Sequence, residues 1–273
     1  MSRSHRPRGS ESRFPTPSLY DLFRNSLARK LRRMAMWSRA GRRRLLQFEP
    51  LEPRLLLSAD LSYTAAGSGD LTLRVADVGG VSTLQLVDSN DPSIVLASES
   101  MSDASGASVD ANGFDVTLHI DDSLDDVEGE IVFAGGDGVS ALVGPGRASI
   151  WDIAGNGVGK VGNVTFTGID RLIGGAADDT LFGPAPDTVW NVTGDGKGKV
   201  AGMEFAGFEN LKGAADNEDT FVFEEDGKIS GLVDGGADGF DAMVLDGGTF
   251  ETVVFSATGP QSGTIDRDGS VIR

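Results

Sequence analysis

Between residues 174 and 241, carboxylates gather behind glycines at short, recurring spacings. Asp178 and Asp179 follow Gly174 and Gly175; Asp216, Glu218 and Asp219 follow Gly213; Asp234 precedes, and Asp238 and Asp241 follow, Gly235 and Gly236. This combination suits a hard cation, because Ca²⁺ takes roughly 6 to 8 oxygens from carboxylates and backbone carbonyls. Glycines let the backbone turn tightly with positive φ and aim its carbonyls inward, while an apolar residue such as Leu181 anchors the neighbouring carboxylate. Asp178, Asp179, Asp216, Glu218, Asp219, Asp234, Asp238 and Asp241 are therefore the expected metal ligands, with calcium the expected cofactor. The competing reading makes them solvated turn carboxylates. A second acidic run, Asp121, Asp122, Asp125, Asp126, Glu128 and Glu130, reads as a solvated loop or strand edge that discourages aggregation.

Other chemistries are poorly supplied. There is no cysteine, so disulfides, thiolate metal sites and thiol nucleophiles are excluded. The two histidines, His5 and His119, have no triad motif around them. No carboxylate pair stands out as a glycosidase acid and base. The expectation is a protein that is not an enzyme.

The elements that must position these loops are repeats. Trp151 to Gly183 aligns with Trp190 onward at an offset of 39, pairing Trp151 with Trp190, Gly155 with Gly194, Lys160 with Lys199, Phe166 with Phe205, Gly168 with Gly207 and Leu172 with Leu211. A further step back reaches Val127, Gly129, Phe133 and Gly135, whereas Gly235 lies only 22 residues beyond Gly213. Repeats of about 20 to 45 residues characterise stacked architectures, and the spacing suggests that each 39-residue unit makes two coils. Phe114, Val116, Leu118 and Ile120 alternate with polar residues, as do Leu71, Leu73 and Val75, which argues for strands. The tryptophans and phenylalanines read as core residues, one set per unit. The expected fold is all-β, a β-solenoid or β-roll-like repeat region, with β-sandwich modules as the alternative.

The segment LIGGAADDTLFG, residues 172–183, resembles a unit of the RTX or haemolysin-type calcium-binding nonapeptide. Gly174, Gly175, Asp179 and Leu181 fall on its motif positions, while Ala177 replaces a glycine. GGDGVSALV from Gly135 keeps three glycines but carries Ser140 in the aspartate place. The resemblance implies a calcium-binding exported protein in which neighbouring turns share ions.

Charge divides the chain. Residues 1–54 hold 14 of the 24 Lys and Arg and 4 of the 41 Asp and Glu, a net of +10, and the remainder carries −27. The acidic part repels nucleic acid, which is not an expected partner. Leu19, Phe23, Leu27, Leu31 and Met34 recur at helical spacing among arginines, predicting a basic amphipathic helix suited to an anionic membrane surface or an export receptor. No apolar run of about 18 residues exists to span a membrane, and no classical signal peptide is present. Leu51, Glu52, Pro53, Arg54, then Leu56, Leu57, Ser58 and Ala59 resemble the LEPR-XLL motif of large repetitive bacterial surface or secreted proteins.

These readings divide the chain into a basic leader (1–47), the LEPR-XLL segment (48–60), an N-terminal β region (61–128) and the β repeats (129–273). They point to a structural or adhesin-type segment of an exported surface protein, with a calcium-dependent carbohydrate-binding module as the alternative and a polysaccharide-active enzyme behind it. The expected location is secreted or cell-surface, and the expected partners are export machinery through the leader, and surface glycans or a membrane surface.

Overall fold

The computed structural model describes residues 60–104, 106–259 and 262–273, all within the second of the chain's two units, Leu56–Arg273. The predicted leader helix and residues 48–59 of the LEPR-XLL segment lie outside the described residues. Among the described residues there is no α-helix, and the chain is nearly all strand, turn and bend. Alternation produces these strands directly: Val116, Leu118 and Ile120 are buried, with Thr117 and His119 half-buried between them.

The chain shuttles between two open sheets. β1 (Leu61–Thr64) begins the first sheet, and β2 (Gly69–Val78), β3 (Val81–Asp88) and β4 (Val95–Ser100) form a meander in the second. β5 (Ala107–Asp110) returns to the first, β6 (Val116–Ile120) to the second; a 3-10 turn at Asp122–Asp126 leads to β7 (Ile131–Ala134) in the first and β8 (Ser140–Val143) in the second. β9 (Ile150–Gly155), β10 (Val158–Val161) and β11 (Val164–Thr167) make a meander in the first sheet, followed by β12 (Arg171–Ile173) in the second and β13 (Thr180–Phe182) in the first. The next meander, β14 (Val189–Gly194), β15 (Lys197–Val200) and β16 (Met203–Ala206), belongs to the second sheet. β17 (Asn210–Lys212), β18 (Thr220–Phe223), β19 (Val233–Asp234) and β20 (Ala242–Leu245) then alternate between first and second. β21 (Val253–Gly259), β22 (Ser262–Arg267) and β23 (Ser270–Ile272) make a separate antiparallel sheet.

Apart from β10 in the first sheet and β3 and β15 in the second, the strands of each sheet run parallel to one another. First-sheet strands therefore all end at one edge of the pair, the exit edge, where the second-sheet strands begin; the opposite edge is the return edge. The reversals at β10 and β15 are hairpins whose first turns hold Asn156-Gly157 and Asp195-Gly196, with Gly157 and Gly196 at φ 68° and 59°. Asn-Gly and Asp-Gly are strong hairpin signals, because the following residue needs positive φ.

Trp151 and Trp190, 39 residues apart, each lie in the first strand of a three-strand meander, but the path between them is not the two full circuits that the spacing suggests. From Trp151 to Trp190 the chain crosses between sheets three times, an odd number, because the inserted hairpin uses up residues without crossing. Equivalent residues of successive units thus occupy opposite sheets and face one core. Trp151 is fully buried against Phe166 and Phe208, with ring centroids 6.3 and 5.6 Å away, and Trp190 against Phe205 and Phe221 at 6.3 and 5.3 Å. Phe205 in turn meets Phe208 at 6.2 Å, so the aromatic groups of both units are continuous. The core extends from Leu61 through these rings to Ile272, which anchors the third sheet. Arg267 fastens that sheet further by donating to the carbonyls of Glu224 and Gly227 and lying over the rings of Phe223 and Phe250.

Replacing Trp190 by alanine removes the ring that bridges three strands, and the expected loss is about 3–5 kcal/mol. Urea denaturation of the purified chain measures it, and an unchanged midpoint would contradict this account of the core.

Candidate functional site

The glycine and aspartate loops are where a carboxylate site is expected, and topology separates them. Residues 174–179 join the end of β12 to the start of β13 and lie on the return edge. Residues 213–219 and 235–241 each lead from a first-sheet strand into a second-sheet strand and lie on the exit edge, as does the earlier loop at residues 135–139. The odd number of crossings per unit therefore puts the Gly174 loop and the Gly213 loop on opposite edges. They cannot share an ion. Only the loops at 213–219 and 235–241, one 22-residue step apart, are neighbours.

The glycines at these places answer to close stacking. A Cβ on Gly174 would run into the carbonyl of Gly207 and the carboxylate of Asp179, and one on Gly213 into the carbonyl of Gly235 and the carboxylate of Asp219. Neither Gly174 nor Gly213 has positive φ. Their lack of a side chain serves the approach of one turn of backbone to the next rather than an unusual conformation.

The central aspartates are buried and bonded to amides. Asp179 is fully buried; its Oδ1 accepts from the Ser149 amide at 2.8 Å and hydroxyl at 2.6 Å, and its Oδ2 from the Gly175 amide. Asp219, also fully buried, accepts from the amides of Thr188 at 2.9 Å and Ala214 at 3.2 Å. Amide bonds to an ionised carboxylate are stronger than neutral ones and fix the side chain.

These bonds form a ladder. In the first sheet the amide of Ser149, just before β9, donates to Asp179, just before β13, and the amide of Asp179 donates to Glu209, just before β17, at 2.8 Å. In the second sheet Thr188, before β14, donates to Asp219, before β18, and Asp219 donates to Asp241, before β20, at 2.9 Å. Ser140 at the start of β8 donates likewise to Asp170 before β12, at 2.8 Å. In these five steps the amide at one strand's entrance is tied to the carboxylate at the entrance of the next parallel strand. Ser149, Asp170 and Glu209 belong to this device and escape a search for glycine-aspartate motifs, since no glycine pair precedes them; their shared place immediately before an apolar strand is the available signal.

The remaining predicted ligands are scattered. Asp178, Asp216, Glu218, Asp238 and Asp241 are exposed. Asp234 pairs with Lys212 at 3.1 Å and accepts from the Gly236 amide at 3.0 Å. The acidic run at residues 121–130 caps its own 3-10 turn through Asp121, and Asp125 pairs with Arg147. A cleft of about 530 Å³ lined by Leu124, Arg147, Asn163 and Asp178 contains none of the other candidates. No group of three or more acidic or histidine side chains arranged for a metal occurs among the described residues.

One loop pair contains a buried side-chain oxygen that meets no donor. Asn217 is 5 % exposed; its Nδ2 donates to the Pro186 carbonyl at 3.3 Å, while its buried Oδ1 meets no donor. It lies two residues from Asp219, whose carboxyl is pushed up from its ordinary value mainly by burial and further by the charge of Asp241. Two carboxylates, an orphaned amide oxygen and adjacent loop carbonyls are donors of the kind Ca²⁺ takes. In both loops the buried carboxylate's oxygens already accept from amides, and the orphaned Asn217 oxygen is what sets the 213–219 loop apart.

No known protein family matches this sequence, and no characterised protein or solved structure matches it either. The raised pKa of Asp219 sets a sign for pH dependence. In the native state it holds its proton to higher pH than in the unfolded chain, so its contribution weakens the fold as pH rises through that interval and is relieved on acidification. Denaturation at neutral and mildly acidic pH should show a smaller acid-side gain for Asp219→Asn than for the native chain. An equal gain in both would exclude Asp219 as the titrating group.

Proposed function

We propose that residues 61–273 are a β-solenoid-type structural segment of an exported bacterial surface protein, of the stalk, adhesin or matrix kind. The observation that carries this reading is the ladder of carboxylates tying successive strand entrances together beneath a continuous core. An array in which each turn is bonded to its neighbour is held by local contacts and lengthens by repetition, which suits a load-carrying spacer. The strongly acidic surface keeps such a segment soluble and apart from nucleic acid. The resemblance of residues 51–59 to the LEPR-XLL motif supports export, and the basic leader supplies the charge that an export receptor or anionic membrane surface would meet.

Within this reading calcium belongs to one place, the paired loops 213–219 and 235–241, held by Asp219, Asp241 and the Asn217 side-chain oxygen. There it would neutralise a buried carboxylate and tie the last two exit-edge turns together. Thermal melting of the native chain should shift upward with millimolar Ca²⁺, and Asp241→Ala should abolish the shift while also lowering the calcium-free melting point, because it removes the acceptor of the Asp219 amide. Identical curves with and without the ion would remove calcium from the account. For export, mass spectrometry of the surface and secreted fractions should find the acidic segment with a new N-terminus near Ser58 and Ala59; a chain confined to the cell interior would refute the reading.

A further inference from the structure

The two ends of the second sheet are finished differently. At one end β4 closes an antiparallel meander whose pairing is broken by an irregularity at Leu86 and Val87, which blunts an edge. At the other end β20, Ala242-Met243-Val244-Leu245, pairs among the described residues only with β18. It contains no proline, lysine or bulge, the usual devices against unwanted pairing.

Backbone direction shows what this edge presents. Ala242 and Asp246 donate their amides back to the carbonyls of Asp219 and Phe223. The amides of Met243 and Leu245, alternate residues on the same strand, consequently point away from β18 toward the open side. The core is unfinished there as well: Phe221 and Phe223 on β18 are 2 % and 0 % exposed, whereas Met243 and Leu245, their register partners on β20, are only half-buried. The carboxylate ladder stops at the same place, for the amide of Asp241 meets no carboxylate of a following turn among the described residues.

We propose that the free edge of β20 is an acceptor for one more parallel strand, presented by a partner of defined chemistry: an acidic residue, one residue of any type, then two apolar residues at alternate positions. The pattern comes from the chain's own ladder. At β12, β13, β17, β18 and β20 an acidic residue immediately precedes the strand and stands two positions before its first core-facing residue, as in Asp170-Arg171-Leu172, Asp179-Thr180-Leu181, Glu209-Asn210-Leu211, Asp219-Thr220-Phe221 and Asp241-Ala242-Met243. A strand with this spacing receives the Asp241 amide on its acid, pairs with the free amides of Met243 and Leu245, and lays its apolar residues over their half-exposed side chains. Because the side-chain period is two, a strand whose acid stands next to its first core residue would turn the wrong face inward. The chain's own β1 has that arrangement, Asp60-Leu61, which excludes simple head-to-tail addition of a second copy through β1.

This inference deepens the structural reading, since an array that accepts further coils is an extensible one, but its test does not depend on export or calcium. The probe is a fluorescent peptide of residues 213–225, GAADNEDTFVFEE, titrated into the full chain without calcium and followed by anisotropy. Saturable binding is expected; removing the acid, as Asp219→Ala in the peptide, should weaken it about tenfold, the worth of one charge-assisted bond. Met243→Pro in the protein should abolish binding by removing an edge amide and obstructing the approach. Absence of binding, equal binding of a scrambled peptide, or equal binding of the alanine peptide overturns the proposal. Those peptide comparisons use the native chain alone and decide the matter even if Met243→Pro fails to fold.

Discussion

Turn backbone lies almost directly on turn backbone along both edges of this molecule, and the rest of the structure follows from accommodating that contact. Where Gly174 passes Gly207 and Gly213 passes Gly235, a single added carbon has no room. Packing this close strands the amides at each strand entrance, which are neither in the ladder of the sheet nor open to water. An unpaired buried amide costs about 1–3 kcal/mol, so each needs an acceptor. At five of these entrances the acceptor is a carboxylate before the next parallel strand, and some of the side chains that look like metal ligands become ties between neighbouring strands.

That solution has its own electrostatic consequence. A carboxylate placed among amides has both oxygens satisfied, as at Asp179 with its three donors. The pKa of Asp219 is raised above its ordinary value chiefly by burial, with a smaller push from the charge of Asp241, and hydrogen bonds from Asn217, Thr188 and Ala214 offset this only in part.

Much of the architecture is legible in the amino acids. Alternation at Val116, Leu118 and Ile120 gives a strand with the correct buried face, the two tryptophans 39 residues apart are both core residues, and the Asn156-Gly157 and Asp195-Gly196 pairs mark the hairpins. The candidate ligands are only partly legible. Composition identifies Asp179 and Asp219 as important positions, but the motif attributes to an ion what the fold assigns first to the amides of Ser149 and Thr188, about thirty residues earlier in the chain. Such partners lie one turn of the stack away, at a distance that depends on how many residues the intervening hairpin consumes.

The sequence by itself determined the strand type and the aromatic residues of the core, because both are written in local periodicity and residue type. It did not determine on which edge a loop emerges. That depends on whether the number of crossings per repeat is odd or even, a property of the whole path and not of any segment. The tertiary structure alone decided that the Gly174 and Gly213 loops face opposite ways, that the aspartates between strands serve backbone amides, and that β20 ends its sheet with amides pointing outward.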